Sequence, residues 1–76
     1  SRTDERLAWG WLQRAEAEMT EVTTTPGVPR GSPYTEAMHK REFVYAAYND
    51  GAYADTVRLA REILDLCKRM KEQRKQ

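Results

Sequence analysis

Apolar residues recur at helical spacing near the start of the chain. They follow one another at steps of four, three, four and three residues, and they are Ala8, Leu12, Ala15, Met19 and Val22. This spacing places their side chains on one face of an α-helix. A helix is therefore predicted over residues 4–22, with Thr3 or Asp4 as its cap.

The periodicity stops over residues 23–33, which we predict to be a loop. The segment contains three prolines, two glycines and four hydroxyl residues, and prolines and glycines favour turns over helix. It is longer than most connections between helices. Its residues 28–32, Val-Pro-Arg-Gly-Ser, resemble a sequence that thrombin cleaves, so the segment is either a processed or engineered link or an ordinary flexible loop.

Two further helices are predicted, over residues 34–49 and 52–72. Ser32 can cap the first of them, and Pro33 suits its first turn. Gly51 can adopt the left-handed conformation that ends a helix, so the connection is short. The last helix has a wide apolar face, formed by a stripe of Tyr53, Val57, Ala60, Leu64 and Cys67 flanked by Leu59, Ile63, Leu66 and Met70.

These elements predict an all-α fold with one helical domain over residues 1–76. Because helices two and three are joined by a short turn, they form an antiparallel hairpin, and helix one packs on that hairpin as a three-helix bundle. Apolar residues make up 39% and charged residues 33% of the chain, a globular balance rather than a disordered one. The chain lacks an initiator Met and ends in a running helix, so it could be a piece of a longer one.

The charge is balanced overall but unevenly distributed. The net charge is +1, while residues 1–22 carry three basic and five acidic groups and residues 67–76 carry five basic and one acidic. Cys67 is the only cysteine, which excludes an intramolecular disulfide and a cysteine-based zinc site. A reducing, cytoplasmic location is therefore expected. No apolar stretch approaches the roughly 20 residues that cross a bilayer, so no membrane partner is expected.

The sequence offers no catalytic constellation. His39 is the only histidine and lies beside Lys40 and Arg41, where a solvated role is expected. Glu16 and Glu18 are two residues apart on a helix, so their side chains diverge. A glycine-rich phosphate loop is also missing. We therefore expect no enzyme, no metal and no cofactor.

The predicted hairpin resembles a tetratricopeptide repeat over about a third of the chain. The matching residues are Tyr48 before the turn, the turn Gly51-Ala52-Tyr53, and the small residue Ala60. Thr56 stands where the family usually has alanine, and Ile63 replaces a second small residue. There is one unit, whereas such repeats normally need about three.

The same turn is similar to that of HEPN domains and of microtubule-interacting-and-trafficking three-helix domains. The latter resemblance implies a groove between helices that binds helical tails of partner proteins. The ribonuclease members of the HEPN family have an arginine followed four to six residues later by a histidine. In this chain the arginine that precedes the histidine His39 is Arg30, which is too far from it in sequence to match that motif. The resemblance therefore implies no nuclease activity.

Aromatic residues are the strongest functional signal. Two Trp, four Tyr and one Phe are more than a small three-helix core easily buries. The alternative is that these aromatic side chains all pack around the core and bind no partner. We predict a protein-binding or self-association groove at the residues Trp9, Tyr45, Leu59 and Leu66.

The basic C-terminal tail supports an alternative function. Its cations are Lys68, Arg69, Lys71, Arg74 and Lys75, which could follow a nucleic-acid backbone. Cations at the end of a helix also stabilise the helix dipole without any ligand. No aromatic residue lies between these cations to stack on bases.

Overall fold

The computed structural model describes residues 1–74 and contains three α-helices in that range. They are α1 (Arg2–Thr24), α2 (Ser32–Asn49) and α3 (Tyr53–Arg74). No strand occurs among the described residues. The predicted all-α three-helix bundle is confirmed, and each predicted helix end lies within two residues of the observed one.

The first helix begins earlier and ends later than predicted. Its cap is Ser1 rather than Thr3 or Asp4: the Ser1 hydroxyl accepts a hydrogen bond from the Asp4 backbone N–H at 3.2 Å, in a capping box that the Asp4 carboxylate completes. At the other end, the Thr23 and Thr24 hydroxyls donate to backbone carbonyls four residues earlier, at 2.8 and 2.7 Å. These threonines therefore belong to α1 and not to the loop.

The second helix also begins before its predicted start. Gly31 is its cap, without a side-chain hydrogen bond, and Ser32 is already helical. The prediction that Ser32 caps α2 is wrong. The α2–α3 turn agrees with prediction, because Gly51 has a φ of 78° and its N–H donates to the Tyr48 carbonyl at 3.0 Å.

The bundle runs up, down and up, so α1 and α3 are parallel and α2 is antiparallel to both. An ion pair between Lys71 and Glu18 joins the C-terminal ends of α3 and α1. An ion pair between Lys40 and Glu62 joins the middles of α2 and α3. α3 packs closely along both other helices, whereas α1 and α2 meet along a narrower line.

The core lies between the three helices, and α3 contributes the most residues to it. All five residues of the predicted α1 stripe are buried. On α3, the buried residues are Thr56, Leu59, Ala60, Ile63, Leu66, Cys67 and Met70. Tyr53, Val57 and Leu64, which the predicted stripe included, are only partly buried. The buried face of α3 is therefore centred on the predicted flanking residues Leu59, Ile63, Leu66 and Met70 rather than on the predicted stripe.

Candidate protein-binding surfaces

Three aromatic side chains lie along the boundary between α1 and α2. Trp9 is 48% exposed and Tyr45 is 37% exposed. The Trp9 ring lies 5.3 Å from that of Tyr48, which in turn lies 5.7 Å from the Tyr53 ring. We call Trp9, Tyr45 and Tyr48 the aromatic face.

An ion pair crosses the aromatic face. The Arg41 guanidinium donates to both carboxylate oxygens of Glu16, with Nε at 2.9 Å from Oε2, in the bidentate geometry that makes arginine–carboxylate pairs strong. The Arg41 hydrogen bond lowers the pKa of Glu16, against the opposing effect of burial. Burial raises the pKa of Tyr45, and a hydrogen bond to Glu16 acts in the same direction. The charges of Glu16 and Arg41 therefore cancel, and Arg2, Glu5 and Arg6 lie beside Trp9 and Tyr48.

The two leucines predicted beside Trp9 and Tyr45 are core residues. Leu59 is 8% exposed and Leu66 is 3% exposed, so neither offers a surface to a partner. The structure thus brings Trp9 and Tyr45 to one side of the bundle but does not form a groove with Leu59 and Leu66. The reason is that α2 covers the flank of α3 that the sequence pattern left open.

Leu7 and Phe43 are exposed apolar side chains that the sequence pattern did not predict to be on the surface. Leu7 is 58% exposed; it lies off the α1 stripe as Trp9 does, so the same criterion could have found it. Phe43, in α2, is 62% exposed. It lies two residues from Tyr45 and therefore on the far side of that helix.

The basic tail is partly neutralised within the bundle. Lys71 donates to Glu18 at 2.6 Å and to Glu21 at 3.0 Å, and these hydrogen bonds raise the pKa of Lys71. Lys68, Arg69 and Arg74 are exposed and form no ion pair within residues 1–74. Lys75 lies outside the described residues.

A second surface lies between the parallel helices α1 and α3. The Trp11 ring is contacted by two guanidinium groups, that of Arg14 at 4.5 Å and that of Arg61 at 5.5 Å from its centroid. Three depressions of about 630, 280 and 450 Å³ lie along this side. Leu7 lines the first two of them, and Arg14 lines the second and third. The first and third are lined by both helices, whereas the second is lined by α1 alone, so the three follow one another along α1.

The remaining reactive side chains of the described residues do not come together in one site. His39 is exposed. In the part of the chain that the structure describes, no three histidine, cysteine or carboxylate side chains are grouped to hold a metal. Burial raises the pKa of the Cys67 thiol to about 11. None of the helices within residues 1–74 combines the length and apolarity that a membrane span requires.

Comparisons with known proteins add no relative. No protein-family model, no curated protein and no solved structure matches the chain.

Proposed function

We propose that this chain is a non-catalytic oligomerisation module whose aromatic face binds a second copy of itself. The observation that carries the proposal is that Trp9 and Tyr45 stay exposed beside Tyr48 while the core is already filled. Tryptophan, tyrosine and arginine are the residue types that most often dominate binding energy in protein interfaces. All three types occur together on this face.

Charge favours a second copy as the partner. A two-fold interface brings the same patch of both molecules together, so a strongly charged patch would repel its own copy. The Glu16–Arg41 pair is neutral, and Arg2, Glu5 and Arg6, which line the depression beside Trp9 and Tyr48, leave this face a net charge of only +1. A standard interface buries about 800 Å² per partner, which is about a sixth of the 5025 Å² surface of this chain.

Solution mass tests the proposal. Light scattering over a range of protein concentrations up to about 1 mM, where even a weak dimer is populated, should show a dimer that dissociates on dilution. The double variant Trp9→Ala, Tyr45→Ala should raise the dimer dissociation constant at least about tenfold, a typical effect of losing hot-spot aromatics.

Phe43→Ala is the matched control, because it removes an exposed aromatic side chain from the other side of α2. Its dimerisation should equal that of the unmodified chain. A monomer at the highest concentration would contradict self-association, as would an equal effect of the control. A partner helix from another protein would then be the occupant to seek on the aromatic face.

Nucleic-acid binding through Lys68, Arg69, Lys71, Arg74 and Lys75 is the competing proposal. It predicts affinity for RNA that falls steeply with salt. The engagement of Lys71 by two glutamates weakens it. Either function is compatible with the proposed cytoplasmic location, since the lone thiol of Cys67 is buried and unpaired.

A further inference from the structure

The groove between α1 and α3 combines apolar side chains with cations. We call it the basic groove and define it by Leu7, Trp11, Arg14, Arg61, Leu64 and Lys68. Leu7 is largely exposed, and Trp11 and Leu64 are partly exposed. These side chains supply an apolar floor, and the cations lie beside it.

The cations of this groove are not neutralised by the protein. Among the described residues, Arg14, Arg61 and Lys68 form no ion pair. Of the acidic side chains nearby, Asp4 pairs with the amino terminus and Glu18 with Lys71. The exposed Asp65, one turn from Arg61 and Lys68 on α3, forms no ion pair among the described residues, and the three cations outnumber it. Stacking on Trp11 orders the two guanidinium groups, which lowers the entropy cost of binding through them. The groove therefore has a net positive charge available to a ligand.

The dimensions match a short helix. The depressions extend along α1 from Asp4 to Glu18, a rise of about 21 Å at 1.5 Å per residue. An amphipathic helix of about four turns spans that length and presents apolar side chains at spacings of three, four and seven residues. Such a helix lies along α1 and crosses the Trp11–Arg61 contact, between two depressions that both α1 and α3 line.

We infer that the basic groove binds an acidic amphipathic helix of a partner protein. Its apolar residues would contact Leu7, Trp11 and Leu64, and its carboxylates would pair with Arg14, Arg61 and Lys68. A second copy is a poorer occupant, because this groove would face its own positive charge. The inference concerns a different surface from the aromatic face, so either can fail while the other holds.

The two tryptophans provide a test within one spectrum. The probe is a synthetic helix-forming peptide of about 14 residues, with leucines at helical spacing on one face and glutamates flanking them. In a ¹H–¹⁵N correlation spectrum, the Trp11 indole N–H signal should shift on titration with this peptide. The Trp9 indole signal should shift far less, because Trp9 lies on the aromatic face. A peptide with lysines in place of the glutamates should bind at least about tenfold more weakly.

Charge reversal locates the site on the protein. The double variant Arg61→Glu, Lys68→Glu should weaken binding of the glutamate peptide at least about tenfold. Arg69→Glu is the control: this residue follows Lys68 but is turned about 100° round α3. Unlike Lys68 it lines none of the three depressions, and unlike Arg61 it does not stack on Trp11. It should change the affinity less than about twofold, as expected for a charge outside the interface.

Several results would overturn the inference. One is an unchanged Trp11 signal at about 1 mM peptide, where even very weak binding is visible. Others are equal binding of the lysine peptide or an equal effect of Arg69→Glu. Tighter binding of a single-stranded oligonucleotide than of the glutamate peptide would assign the cations to nucleic acid. A change in solution mass caused by Arg61→Glu, Lys68→Glu alone would assign the groove to a second copy.

Discussion

Replacing Leu66 with alanine tests whether this residue is part of the core or of a binding surface. The substitution removes three carbon atoms from a side chain that is 3% exposed. At about 0.8 kcal/mol per buried methylene, the transfer term is about 2.4 kcal/mol. The cavity raises the expected loss in the free energy of unfolding to about 3–4 kcal/mol. A domain of this length has a total stability of only about 4–11 kcal/mol, so the variant should be close to unfolding.

Leu7→Ala removes the same atoms from a side chain that is 58% exposed. Scaled by its buried fraction, the expected loss is about 1 kcal/mol. Urea denaturation followed by circular dichroism measures the free energy of unfolding of both variants. The dependence of that free energy on urea concentration should be the same for both if their denatured states are alike. If Leu66→Ala cost no more than Leu7→Ala, Leu66 would not be in the core, and the packing described for α3 would be refuted.

Three further predictions concern glycines, acid and the thiol. Gly10→Ala should stabilise the protein by about 0.5–1 kcal/mol, because a Cβ there meets nothing within 4 Å in the middle of α1. Gly51→Ala should instead lower the free energy of unfolding by about 1–2 kcal/mol, because the φ of Gly51 is 78°. Thermal denaturation measures the melting temperature of both variants, and two shifts of the same sign would contradict this reasoning. Since the pKa of Glu16 is lowered on folding, its contribution should be present above the unfolded pKa of about 4.3 and lost progressively as the pH falls from there through the lower folded pKa. Glu16→Gln should therefore lower stability at neutral pH by no more than about 1 kcal/mol, because the 41%-exposed Arg41 side chain is screened by solvent. Its effect should shrink as the pH is lowered through the acid range, and an effect independent of pH would argue against the ion pair. Cys67, buried and with its pKa raised to about 11, should react with iodoacetamide at neutral pH at least about a hundredfold more slowly than in urea, and rapid labelling of the folded protein would contradict its burial.

Helix positions were predictable because they depend on local order along the chain. The α1 stripe from Ala8 to Val22 is buried as its spacing predicts, and Gly51 ends the hairpin turn with a positive φ. Helix ends were less predictable. Several residues near each end can cap a helix, and the choice of Ser1 over Thr3 depends on a hydrogen bond that spacing alone does not reveal.

The candidate site was predicted in part. Trp9 and Tyr45 are exposed, as their positions off the apolar stripes suggested. Leu59 and Leu66 are buried instead, because a wide apolar face does not show which of its sides a neighbouring helix covers. The basic groove was not predicted, since Trp11, Arg14 and Arg61 meet only when α1 packs parallel to α3.

The sequence by itself determined three helices, their approximate limits and the all-α fold, because hydrogen bonding and hydrophobic periodicity within a helix act over a few residues. Only the tertiary structure decided which faces became surface. The rotation of α3 between two neighbours buries Leu66, and the long-range pairs of Arg41 with Glu16 and of Lys71 with Glu18 neutralise charges far apart in the chain. Those contacts pair the charges of Glu16 and Arg41 on the aromatic face and leave the cations of the basic groove without ion pairs, and this difference comes from the packing of the helices and not from their composition.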